Sequence, residues 1–115
     1  MKIYFGFIFL IFLSLPCFSQ LPKSGVYIYT FCEDEFGKCL NNCKVVINGN
    51  RITIYALDGL SVEKGAIIDK GILMKHKTGV WIIGNKKTDI NLNEIGGCSD
   101  GPSIINFTKK EYRTC

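Results

Sequence analysis

Cys32, Cys39 and Cys43 crowd into one stretch, TFCEDEFGKCLNNCKV, among acidic residues and asparagines. Four kinds of chemistry use such residues. Thiolates at the Cys39-x3-Cys43 spacing, joined by Cys32 or His76, are candidate zinc ligands, but a zinc site normally shows two such pairs and the chain has one. Glu33, Asp34 and Glu35, with Asn41 and Asn42, offer oxygens to calcium. They lack the alternating spacing and central glycine of a calcium loop, so a solvated acidic loop is the simpler reading. A nucleophilic thiol needs a base within hydrogen-bond reach, and His76 is the sole histidine. The remaining chemistry is oxidation to disulfides, with Cys98 and Cys115 as further partners.

The leader decides among these. Residues 1–20 read MKIYFGFIFLIFLSLPCFSQ: Lys2, an apolar run from Ile3 to Leu15, Pro16, then small residues. The run falls short of the ~20 apolar residues that a membrane span needs, and its layout is that of a secretory signal. Cleavage is expected after Ser19, giving a signal at 1–19 and one β-rich domain at 20–115. Cys17 raises the alternative of a lipid-anchored chain, although Pro16 is a poor residue in front of a lipidated cysteine. Export to a periplasmic or secreted location places the thiols where disulfides form.

With Cys17 removed, Cys32, Cys39, Cys43, Cys98 and Cys115 remain as disulfide candidates. Five is odd, and spacing leaves the connectivity open. Cys32 closes one expected strand and Cys43 opens the next, so a Cys32–Cys43 staple at the base of the loop 33–42 is the preferred pairing. Cys39 is then the odd thiol or the partner of Cys98.

The elements that carry these residues are strands. GVYIYTF at 25–31 alternates and is rich in β-formers. CKVVINGNRITIYAL at 43–57 reads as a hairpin about Asn-Gly-Asn. A two-residue turn at Asn48-Gly49 or at Gly49-Asn50 keeps Cys43, Val45, Ile47, Ile52 and Ile54 on one face. GILMKH and VWIIG form a second hairpin. With Thr78-Gly79 as its turn, His76 lies opposite Trp81 and Met74 opposite Ile83, and the pair His76 and Trp81 becomes a possible interaction surface. AIID at 66–69 is expected to be a separate strand turned by Lys70-Gly71. A short helix is expected near 88–95, then a strand at SIINF and a last strand or tail at YRTC. The fold class is all-β: a small barrel or sandwich of five to seven short antiparallel strands, stapled by disulfides.

Composition narrows the function. The chain has 115 residues and a formal net charge of +4. Its lysines are scattered, without the basic stripe and interleaved aromatics of a nucleic-acid binder. No nucleophile elbow, phosphate-cradling glycine loop or cofactor motif is present, so no cofactor and no catalytic role are expected. The expected role is a small exported binding module for a protein or glycan. An exported enzyme inhibitor and a cysteine-dependent enzyme are the alternatives.

The pattern Cys-x6-Cys-x3-Cys-Lys-Val-Val-Ile, then His76-Lys77-Thr78-Gly79-Val80-Trp81-Ile82-Ile83-Gly84, then Gly96-Gly97-Cys98-Ser99-Asp100-Gly101-Pro102 and Cys115, resembles a group of small exported bacterial proteins without an assigned function. The resemblance implies export and a cysteine framework, and brings no catalytic residue with it. A looser likeness, in size, export and strand content, is to the periplasmic lysozyme inhibitors.

The signal reading is checked by sequencing the N-terminus of exported material. A start at or near Gln20 is expected. Retention of Phe5 to Leu15 would overturn the reading, and a lipid on Cys17 would replace it with the anchored form.

Overall fold

A computed structural model describes residues 21–33, 38–96, 98 and 101–115. The leader with Lys2 and Cys17, and the loop acids Asp34 and Glu35, lie outside the described residues. The strands are β1 (Gly25–Glu33), β2 (Lys38–Asn48), β3 (Arg51–Ala56), β4 (Ile67–Lys75), β5 (Trp81–Gly84), β6 (Ser103–Asn106) and β7 (Glu111–Thr114). They form one closed barrel in chain order. A barrel rather than a sandwich is therefore the answer.

Each consecutive pair is antiparallel, as in a meander. Seven strands is an odd number, so the first and last must run in the same direction. The closing pair β1·β7 is accordingly parallel, Thr30 to Glu33 beside Glu111 to Thr114. That is the departure from an all-antiparallel sheet.

The Asn-Gly-Asn hairpin takes its turn at Gly49-Asn50, with Ile47 opposite Ile52 and Val45 opposite Ile54. All four are buried, and so is Cys43. The period-two pattern therefore points its apolar set into the barrel. Tyr29 opposite Cys43, Leu73 opposite Ile83 and Ile105 opposite Tyr112 complete the core with those residues.

The second hairpin departs from its expected register. Lys75 pairs with Trp81, Met74 with Ile82 and Leu73 with Ile83, one residue away from a Thr78-Gly79 two-residue turn. Leu73 and Ile83, rather than Ile72 and Met74, reach the core. The loop 76–80 is longer because His76 organises it. The His76 N–H donates to Val80 O (2.8 Å) and the Gly79 N–H donates to His76 O (2.8 Å). Ile82, on the other face, is also buried, and the 3-10 helix Lys87–Asn91 packs against β5.

Two further expectations are corrected. β4 runs through Lys70-Gly71, so residues 67–69 of AIID belong to its first half and no turn divides it. Gly71 is there for close approach: a Cβ would meet Gly84 O at 2.5 Å and Ile83 Cγ2 at 2.9 Å. The helix expected over 88–95 is the single 3-10 turn Lys87–Asn91. Asp89, 7% exposed, holds it by accepting the N–H of Asn85 (2.7 Å) and of Lys86 (3.1 Å). Those bonds, chiefly the one from Asn85, pull its carboxyl below the ordinary range against the opposing effect of burial.

Gly49 has φ of +66°, a left-handed conformation, with open space about its Cα. Gly49→Val should therefore strain the backbone without a clash, at about 1–3 kcal/mol. Denaturant unfolding measures it, and an unchanged midpoint would show that the turn tolerates a β-branched residue.

Candidate functional site

The disulfides are Cys32–Cys39 and Cys98–Cys115, with Cα separations of 4.0 and 5.0 Å. The preferred Cys32–Cys43 staple is thus incorrect, and Cys39 is neither the odd thiol nor the partner of Cys98. The cause is strand extension. β2 begins at Lys38, which pairs with Glu33, so Cys39 rather than Cys43 comes beside Cys32. Only residues 34–37 separate the two strands, not a structureless loop over 33–42.

Among the described residues Cys43 is the unpaired cysteine, fully buried among core side chains with its thiol 3.7 Å from Tyr29 O. Burial pushes that thiol up to about 12. It is a thiol, not a thiolate, at any physiological pH. His76 is not its base. The Nε2–H of His76 donates to Leu92 O (2.6 Å), which can only accept, while Nδ1 accepts the Thr78 N–H (3.2 Å). Nδ1 thus holds the loop to itself and Nε2 braces it to the segment after the 3-10 helix, and the expected partnership with Trp81 is absent. Among the described residues, Cys32, Cys39 and Glu111 place ligand-type atoms within 4.8 Å of one another. Both sulfurs there are already bonded to each other.

The strongest concave feature lies at one end of the barrel. A cleft of about 410 Å³ opens between Phe31, Glu33 and Asn41 on one side and the loop carrying Gly59, Leu60, Ser61 and Val62 on the other. Ile68, Asp69, Tyr112, Thr114 and Cys115 complete its lining. Its floor is polar. The Tyr112 hydroxyl donates to Asp69 Oδ2 (2.8 Å), and Ser103 Oγ lies 3.4 Å from that hydroxyl and bonds Thr114 Oγ1 at 3.0 Å. Burial, reinforced by the charge of Asp69, holds the Tyr112 phenol above its ordinary range, so it is a fixed donor. Among the described residues no lysine or arginine lines the cleft, whereas Glu33 and Asp69 do.

Trp81 borders a second, more open groove of about 310 Å³ with Lys75, Val80, Asn106 and Phe107. Its ring packs on Phe107 at 6.0 Å, and Phe107 packs in turn on Tyr29 at 6.4 Å. Tyr27 extends the series to Tyr29 at 6.1 Å. Trp81 is therefore mainly part of an aromatic seam, with one edge available.

Asp69 and Tyr112 were not singled out by sequence. Asp69 lies in a run that reads as a turn approach, and Tyr112 in four residues at the end of the chain. Neither carries a motif, and only barrel closure brings them together. No protein-family model matches the chain, and no solved structure matches it.

Peptide mapping of the oxidised protein should return Cys32–Cys39 and Cys98–Cys115. Native protein should show no reactive thiol and denatured protein one. Closing loops of these separations contributes about 2–3 kcal/mol per bridge. Reductant should therefore lower the melting temperature and a chelator should not. A chelator that unfolds the protein would restore the metal reading.

Proposed function

We propose that the chain is a small exported binding module whose ligand enters the mouth of the barrel. The observation that carries this is the cleft in which apolar Phe31, Leu60, Val62 and Ile68 surround the hydrogen-bonded pair Asp69 and Tyr112. An apolar pocket with a few convergent polar groups is the usual form of a ligand site. Among the described residues its charge is one-sided: Glu33 and Asp69 without a lysine or arginine. The complement is a group with an apolar body and a cationic or hydrogen-bond-donating end.

Export is part of the same proposal. Two disulfides fit an oxidising environment, and the leader supplies the route. The burial of Cys43 argues against a thiol-based reaction at that residue, which leaves recognition as the reading to test.

The test is protein-observed NMR with a panel of small aliphatic and aromatic primary amines, and the matching carboxylic acids as controls. The amines should shift Leu60, Val62, Ile68 and Tyr112. Asp69→Asn should weaken them by about tenfold, the size expected for losing one charge-assisted hydrogen bond. Equal response to the acids, or shifts confined to other surfaces, would overturn the reading.

A further inference from the structure

The parallel seam covers only part of β1. β7 pairs with it from Thr30 to Glu33, while β1 itself begins at Gly25. The Thr30 N–H donates to Lys110 O at 2.9 Å, so the backbone groups of Thr30 point away from β2. Backbone direction alternates along a strand. The N–H and C=O of Val26 and Ile28 therefore point the same way, and among the described residues no strand faces them there. Their side chains, 65% and 54% exposed, are the two most exposed large hydrophobics of the barrel wall. Two donors, two acceptors and two apolar side chains thus lie along one open edge.

The surroundings of that edge are basic. Lys23 precedes it, and the turn bearing Lys109 and Lys110 sits beside its far end; all three are exposed. Lys44 on β2 pairs with Ile28 from the other side of β1, with its ammonium 4.8 Å over the Tyr55 ring. A second copy of this chain would bring the same lysines against themselves, which opposes edge-to-edge pairing of two copies.

We propose that the Val26–Ile28 edge is a docking site for an extended acidic peptide segment, which adds to the barrel as a strand in line with β7. Its main-chain groups would pair with those of Val26 and Ile28. Its acidic residues would lie against Lys23, Lys109 and Lys110. Apolar side chains at alternate positions would rest either beside Val26 and Ile28 or on the inner seam of Tyr27, Tyr29 and Phe107. This site is separate from the acidic cleft at the barrel mouth and opposite to it in charge.

The probe is a capped heptapeptide that alternates valine with acidic residues. Controls carry lysine at each acidic position, or N-methyl groups along one edge. Hydrogen exchange read by NMR gives the first measurement. In the protein alone the Val26 and Ile28 amides should exchange fast, and the acidic peptide should slow both at least tenfold. Both control peptides should fail to do so, and added salt should weaken the acidic one. Ile28→Pro removes an outward N–H that β2 does not use, a position where an edge strand tolerates proline, and should abolish binding. The charge change Lys109→Glu with Lys110→Glu, which leaves the β1 backbone alone, should weaken binding at least tenfold and keeps the test open if the proline variant does not fold. The proposal is overturned by any of three results. Amides already protected in dilute protein mean that another part of the chain fills the edge. Protection that grows with protein concentration means a second copy does. Fast exchange unchanged by millimolar acidic peptide means the lysines only guard the edge against pairing.

Discussion

Everything in this barrel depends on one closing contact, the parallel seam between β1 and β7. A meander of seven strands brings its ends together in the same direction, and parallel pairing is the sole way to join them. The seam spans four residues, Thr30 to Glu33. It is reinforced by side chains on both sides. Phe31 packs on Tyr112 at 5.7 Å within it, and the aromatic series Tyr27, Tyr29, Phe107 and Trp81 covers the gap beyond its end. Without this closure, β1 and β7 would be two open edges, and the core residues they contribute, Tyr29 and Tyr112, would face water.

The same closure produces the two surfaces of interest. β7 carries Tyr112 across from Asp69 on β4, and that juxtaposition makes the polar floor of the mouth. Because β7 is short, the first half of β1 has no strand neighbour on that side among the described residues. One end of the seam thus forms a pocket and the other leaves an edge. The disulfides work at the pocket end: Cys32–Cys39 fixes the tip of the β1–β2 hairpin, and Cys98–Cys115 holds the chain just after β7.

The legible part of the fold was the part where pattern has a single phase. In RITI polar and apolar residues alternate strictly, so only two turn placements keep Ile52 and Ile54 on one face with Cys43, Val45 and Ile47, and the observed one is among them. The β4–β5 hairpin offers no such phase. Ile72, Leu73 and Met74 on β4 and Trp81, Ile82 and Ile83 on β5 are unbroken apolar runs, so a one-residue slip loses nothing in the pattern. What chose the register was the hydrogen-bonding of His76, a loop property that periodicity does not encode. Lys70-Gly71 misled for a related reason: the glycine serves a close approach of β4 to β5, not a turn. The cysteine pairing hinged on where β2 starts, which the mixed composition around Lys38 left unmarked. The cleft was illegible because its decisive residues lie 43 positions apart and meet only across the closed barrel.

The buried Cys43 has a consequence for watching this protein move. Its sulfur is sealed among core side chains and can be alkylated only when the barrel wall parts. Because the other four described cysteines are already bonded, any label taken up within the described residues of the oxidised protein marks that one position. The chain thus carries its own opening counter: the rate at which an alkylating reagent is consumed reads how often the barrel opens around Cys43.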